Sequence, residues 1–303
     1  NLNLQVEDNN KLIFTLKNIR FSNYGYQKDL ITGEIFGKKF KTKINGNKKD
    51  IKFKLLNSGV SADINFETNQ KSDSIIGNFK SKILNTNLKF DFDFDYKSMK
   101  IYNSFFRSKN LSLKNNNLII VDPYLNIISK FKIEEINPKI FKSINFYRLL
   151  EYKSFLKKIN SKNEIIFKSK KFSQNLIDEL NLKIEFVYGT ISYNKRFSIQ
   201  DNIFQCEGIL NTLEEYPLLF FDCKIDSDKK KILKVFSINT KEKNKIIKIN
   251  AKGSLNILNN KINFKDISIN EDYTATEEDL RYYKESFERI VIDKSILEMF
   301  NLR

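Results

Sequence analysis

Apolar and polar residues alternate with a period of two along most of this chain, nowhere more regularly than in LKFDFDFDY, residues 88–96. Leu88, Phe90, Phe92, Phe94 and Tyr96 share one parity; Lys89, Asp91, Asp93 and Asp95 share the other. Successive side chains of an extended chain point to opposite sides, so the pattern predicts a strand with one wet face and one apolar face. At roughly 3.3 Å per residue such a strand runs about 30 Å. The same rule governs the chain as far as residue 136. Leu12, Phe14 and Leu16 share a face, Ile19 and Phe21 follow after a one-residue slip, and Val60, Ala62, Ile64 and Phe66 form one row. Asn45-Gly46, between two alternating runs, predicts a hairpin. A two-residue loop at Lys97-Ser98 would set Asp95 opposite Lys100 and Phe94 opposite Ile101, each pair contributing ~0.2 to 1 kcal/mol. Asn tolerates left-handed backbone, so Asn115 to Asn117 and Asn259-Asn260 read as turns in a chain poor in glycine.

The pattern changes at Asn137-Pro138, a cap followed by a residue suited to the first helical position. Phe146, Leu149, Leu150, Leu156 and Ile159 then follow near helical spacing. Strands resume at EIIFK, SQNLIDEL reads as a short helix, and Leu182, Ile184, Phe186 and Tyr188 repeat the alternation. A second helix is expected in DSDKKKILKVF. The last sheet piece folds about Asn259-Asn260, setting Ile257 against Ile262 and Leu255 against Phe264, and its change of parity predicts a β-bulge at Lys265-Asp266. Thr276 and Asp279 resemble a capping box, and Leu280, Tyr283, Phe287, Ile290 and Val291 form the stripe of a final helix that packs on a core. The expected fold is mainly β: an elongated, curled antiparallel sheet, a repeating β-groove, with about three helical insertions near 138–159, 228–236 and 276–300. Its organisation reads as a β-groove segment over 1–136, a helical insertion over 137–160, a second β-groove segment over 161–275 and a C-terminal helical segment over 276–303.

Composition narrows the chemistry. The 303 residues contain no His, which excludes His-based nucleophilic triads and makes zinc sites improbable. Neither GxGxxG nor GxxxxGK[ST] occurs. The net charge of +16 is compatible with anionic partners, but the lysines are spread evenly and rise together with Asn, Ile and Phe, as in A/T-rich coding, so no nucleic acid is expected. A calcium loop starting at Asp91 would need Gly and Glu where Tyr96 and Tyr102 stand, so no metal is assigned. Glu214-Glu215 read as exposed turn charges, and no constellation points to an enzyme or a cofactor. Strands flanking NTLEEYP set Cys206 opposite Cys223 on the apolar face. An oxidising compartment would allow a disulfide there, and a reducing one would leave two small core residues. No apolar run approaches the roughly 18 residues of a membrane span. The chain begins NLNLQVEDNN, without Met or a signal-like core, and reads as an excised or processed segment.

The segments VSADINFE, GNFKSKILNTNLKFDFDFDYKSMKIYNSFFRSKNLSL, CEGILNTLEEYPLLFFDCKI and KGSLNILNNKINFKDISIN resemble the periplasmic portion of AsmA-like proteins of diderm bacteria, over most of residues 58–290. The likeness rests on short alternating strands, a polar step and a recurring G-x-L or L-x-L-x-N. It implies a periplasmic location, an inner-membrane anchor that this chain lacks, and kinship with TamB-type and chorein-type bridge-like lipid carriers. The function then expected is non-enzymatic: a lipid-binding groove segment that helps carry phospholipid between inner and outer membrane, with outer-membrane factors as further partners. Acyl chains would lie against Phe14, Phe66, Phe90, Phe92, Phe94, Ile184, Phe186, Phe221 and Phe264. The alternative is a closed β-rich structural or assembly factor for outer-membrane protein biogenesis that binds no lipid. The two part over whether those side chains are packed all round or face a void.

Overall fold

A computed structural model of the chain describes residues 2–8, 11–45, 49–69, 73–122, 124–136, 156–169, 177–199, 202–228, 246–270 and 272–288. Strands take 73 % of these residues, which makes the protein mainly β, and its sheet is open. The chain divides into two compact units, Asn1–Asp122 and Pro123–Arg303.

The first unit is a meander of β1 (Leu2–Asp8), β2 (Lys11–Ser22), β3 (Leu30–Ile35), β4 (Lys38–Asn45), β5 (Asp50–Leu55), β6 (Val60–Asn69), β7 (Ser74–Ile83), β8 (Thr86–Phe94), β9 (Ser98–Arg107) and β10 (Leu111–Ile120). Each strand pairs antiparallel with the next. The slip expected in β2 is a bulge between Lys17 and Arg20, where Asn18 takes φ 55°. The opening strand ends two residues early, at Phe94, and Tyr96 sits in the turn with φ 67°, 65 % exposed. Its register is corrected accordingly: Asp93 faces Lys100 and Phe92 faces Ile101. The cause is Asp95, whose carboxylate accepts the Lys97 and Ser98 N–H groups at 3.1 and 2.6 Å and the Ser98 hydroxyl at 3.1 Å, centring the turn one residue earlier. A shift of two residues leaves both faces as they were. Asn115 to Asn117, expected in a loop, lie inside β10, where the Asn115 N–H donates to the Ser104 hydroxyl.

The second unit holds β11 (Asn126–Ile136), β12 (Asn160–Lys168), β13 (Glu179–Val187), β14 (Thr190–Ile199), β15 (Asn202–Asn211), β16 (Leu218–Asp228), β17 (Ile246–Asn256), β18 (Lys261–Ile269), β19 (Tyr273–Thr274) and the helix α1 (Glu277–Phe287). The expected all-antiparallel order fails once, because β11 and β12 are parallel. A parallel pair needs a crossover of a dozen or more residues, and residues 137–159 span that connection. The insertion expected over 138–159 lies outside the described residues except for 156–159, where Leu156 and Ile159 are buried. From β12 to β19 every pair is antiparallel.

About three helical insertions were expected, and that count is not borne out: among the described residues α1 is the one α-helix. Of the stretch 228–236, Asp228 ends β16 and the rest lies outside the described residues. Of SQNLIDEL, residues 173–176 lie outside them, and the rest is not the expected helix, since Glu179 and Leu180 open β13. Residues 289–303, and so Ile290 and Val291, lie outside them too. The capping box is present: the Thr276 hydroxyl accepts the Asp279 N–H at 3.3 Å, while the Asp279 carboxylate accepts the Thr276 N–H at 2.9 Å and hydroxyl at 2.7 Å.

The β17–β18 hairpin also pairs two residues away from the expected register, with Leu255 against Ile262 and Gly253 against Phe264. Asn256 explains the longer turn, since its side-chain oxygen accepts the Leu258 and Asn259 N–H groups at 2.9 and 3.3 Å. The bulge stands as expected, with Lys265 the extra residue between Phe264 and Asp266. Tyr188 leaves the row of Phe186 for a turn, with φ 45°.

Candidate functional site

The registers place most apolar side chains of each unit on one face; Phe105, across from Lys89, and the pair Ile209 and Phe220 lie on the other. In the first unit Phe66 faces Gly77, Gly77 faces Phe92, and Phe92 faces Ile101; the next row joins Ile64, Phe79 and Phe90. Phe79 stacks on Phe90 at 4.9 Å, Phe90 meets Phe92 edge-on at 6.4 Å, and Phe94 lies 5.3 Å from Tyr96. These contacts run sideways along the sheet. Phe66, Phe90, Phe92 and Phe94 all remain half-buried, and among the described apolar residues of this unit only Phe40 is fully buried. Among the described residues, the elements packed closely on each strand here are its sheet neighbours. The side chain of Phe14 lies outside the described residues.

The second unit repeats the arrangement across β13 to β18. One row reads Ile184, Tyr193, Gly208, Phe221, Gly253 and Phe264, and the row beside it runs from Phe186 through Ile191, Leu210, Leu219 and Leu255 to Ile262. Ile184, Phe186, Phe221 and Phe264 are thus on one face and half-buried. Glycine alternates with aromatic rings in the first of these rows for a steric reason. A Cβ on Gly253 would lie 2.8 Å from the Phe221 ring, and one on Gly77 in the first unit 2.7 Å from the Phe92 ring. The rings therefore lie down over the neighbouring glycine instead of standing up, and the apolar face is low and smooth.

Cover exists in the second unit at two places. At one end Ile191, Leu210 and Ile257 form a buried cluster, 8, 5 and 6 % exposed, with Phe186, Leu219 and Leu255 against it. At the last strand α1 packs on β18: Phe287 meets Phe264 edge-on at 5.9 Å, and the Ile262 N–H donates to the Glu288 carboxylate at 3.1 Å. This helix shields a strand edge whose exposed N–H groups would otherwise invite pairing.

Cys206 faces Cys223, as the pairing of Leu210 with Leu219 requires, and the two are joined by a disulfide with Cα atoms 4.1 Å apart. On the opposite face, charges pair across strands, as in Lys168–Glu179 at 2.8 Å, Lys252–Asp222 at 2.9 Å and Lys130–Glu164 at 3.1 Å. Hydrogen bonding to its partner pulls the Glu179 carboxyl down and pushes the Lys252 ammonium up. Asp91 accepts from the Asn103 side-chain amide at 2.8 Å, and Asp95 is held below its ordinary value by the turn N–H groups. Among the described residues no three His, Cys, Asp or Glu side chains gather to hold a metal ion, and no helix is long and apolar enough to cross a membrane.

Two residues on the apolar face were not foreseen. Tyr193 and Lys195 occupy apolar slots of β14, between Ile191 and Phe197. The alternation in ISYNKRF marked their parity, and a lysine in an apolar slot was the signal. The Lys195 Nζ lies 5.1 Å over the Phe197 ring. Burial alone pushes its ammonium down and the Tyr193 phenol up. A concavity of about 710 Å³ at the end of these strands belongs mainly to the opposite face, lined by residues including Lys168, Glu179, Asn181 and Arg196. Compared with known proteins, the chain matches no family model, no curated protein and no solved structure.

Proposed function

We propose that this chain is a non-enzymatic lipid-binding groove, an elongated β-groove segment that carries phospholipid acyl chains between the inner and outer membranes. The observation that carries the reading is the apolar face of the first unit. Phe66, Phe90, Phe92 and Phe94 share it, all half-buried, on strands whose close packing among the described residues is with their sheet neighbours. An apolar face of that extent, left partly uncovered, is expected to receive a ligand or a partner. Acyl chain laid on it gains roughly 0.8 kcal/mol per buried CH₂. A face smoothed by flat-lying rings spreads that gain evenly, which suits sliding better than tight capture.

The resemblance to AsmA-like proteins supports the same reading and adds a periplasmic setting, an inner-membrane anchor and outer-membrane factors as partners. The test is photo-crosslinking from a benzoylphenylalanine placed at position 92. Phospholipid should be captured. Capture of protein alone would overturn the reading in favour of an assembly factor that binds no lipid.

A further inference from the structure

Lys195 breaks the rule of the groove. Its direct neighbours on the apolar face are Leu182 and Cys206 across the strands and Tyr193 and Phe197 along its own, and the four diagonal neighbours are likewise uncharged. The ammonium sits over the Phe197 ring and takes part in no described ion pair. Tyr193, one slot away on the same face, offers a phenol that makes no described hydrogen bond. Two donors therefore share a floor that otherwise offers hydrocarbon and a disulfide, the ammonium toward Phe197 and the Tyr193 ring over Gly208. No carboxylate stands among these neighbours to receive a second, cationic group.

We propose that Lys195 and Tyr193 form a head-group station in the second unit, which holds the phosphate of a phospholipid whose only head-group charge is that phosphate. The ammonium gives a charge-assisted hydrogen bond to a phosphate oxygen, and the phenol donates to another. A zwitterionic head would bring its own cation beside Lys195 with no acid to meet it, so the station discriminates by head-group charge. The acyl chains would lie over Phe197 and Phe204, which stacks on it at 4.7 Å on the same face. The groove then has one sticky point in an otherwise even track. This proposal rests on the lipid-groove reading, and its test separates the two.

The full chain is incubated with vesicles of equal phosphatidylglycerol and phosphatidylcholine, re-isolated, and its lipid extracted and quantified by mass spectrometry. Bound phosphatidylglycerol should exceed phosphatidylcholine by about tenfold, the ratio one charge-assisted hydrogen bond sustains. Lys195→Met should abolish the preference without lowering total lipid, Tyr193→Phe should weaken it, and Lys195→Arg should keep it. Lys54→Met, on the charged face of the first unit, should leave it unchanged. Lipid bound without preference, or a preference that survives Lys195→Met or follows Lys54→Met, overturns the station and leaves the groove standing. Displacement of the phospholipid by equimolar oleate also overturns it, as the site would then belong to a carboxylate. Absence of lipid of either kind overturns both proposals.

Discussion

The two units are written by one alternation rule and differ in what becomes of the apolar face. Among the described apolar residues, the first unit buries Phe40 alone, whereas the second buries eight, from Leu156 and Ile159 to Ile262 and Ile267. The alternation runs through both. Register shifts interrupt more pairs in the first unit, at β1–β2, β2–β3, β8–β9 and β9–β10 against β17–β18 in the second. A shift adds no cover, so strand pattern does not make the difference. Loops do. At one end of the second unit the Thr212 hydroxyl donates to the Gly189 carbonyl at 2.6 Å, Pro217 is fully buried and accepts the Ile257 N–H, and the Tyr188 N–H donates to the Ile159 carbonyl. These connections pack together, and Ile257 closes on Ile191 and Leu210. The first unit has a connection as long, residues 23–29, but its Tyr24 and Tyr26 stay exposed and cover nothing. An alternating sheet makes an apolar face, and only additional chain turns that face into a core.

Removing buried volume is the strongest way to break this comparison. Leu210→Ala should cost about 2 to 5 kcal/mol, the range for deleting a buried leucine side chain. Phe90→Ala removes more atoms from a face that is already half exposed, and should cost less. Hydrogen exchange during urea titration, read separately at β15 and β8, measures both. Equal losses would mean that the first unit also has a dry core, and the contrast between units would fall.

The disulfide comes next. It closes a separation of 17 residues, for which the chain-entropy estimate is about 3 kcal/mol. The Cys206→Ala, Cys223→Ala double variant should lose exchange protection in β15 and β16 by that order and leave β7 and β8 unchanged. Loss spread equally over both units would show that they unfold as one.

Much of this was legible in the residues. Faces were set by parity, which survives a register error of two, so Phe92 and Phe264 were placed correctly although their hairpins were paired wrongly. The errors arose where a side chain reorganised a turn, at Asp95 and Asn256, an interaction that alternation does not encode. The bulges at Asn18 and Lys265 were visible because each changes parity. The parallel pairing of β11 with β12 was hidden, because the segment between them read as helical and nothing in it states which edge the chain returns to. Lys195 was hidden for another reason: in a lysine-rich chain one more lysine attracts no notice until its slot is found to be apolar.

Gly77 and Gly253 allow a smaller, matched test. Valine at either would meet a backbone carbonyl of the next strand, Asn65 at Gly77 and Asn263 at Gly253, and push the neighbouring ring off the glycine, overpacking that should cost about 1 to 3 kcal/mol or more. The carbonyl clash is common to both, but in the first unit no described helix packs over the Phe92 ring, while in the second Phe221 would press on Phe264, which α1 already covers. Gly77→Val should therefore be the milder in stability and the more damaging to lipid capture from position 90. Equal destabilisation would argue that the two faces are covered alike.

The smallest expected effect concerns α1, the cover that the first unit lacks. Hydrogen bonds from the Thr276 side chain and backbone, and then from the Tyr273 phenol, hold the Asp279 carboxyl below its ordinary value. A carboxyl depressed in the folded state contributes stability above its unfolded value, and that contribution is lost as pH falls through the folded one. Exchange protection in α1 should therefore be level near neutral pH and fall as acid protonates Asp279, while Asp279→Asn should abolish this acid step and lower protection already at neutral pH. Asp95 gives the first unit a turn with the same sign of pH response but no helix to release, so acid should loosen that turn without uncovering an apolar residue. If α1 is what keeps Phe264 dry, a hydrophobic dye should begin to bind the second unit in the same acid range and show no matching step in the first. Dye binding that rises in both units together would assign the acid response to the sheets, and α1 would be an edge guard for β18 alone.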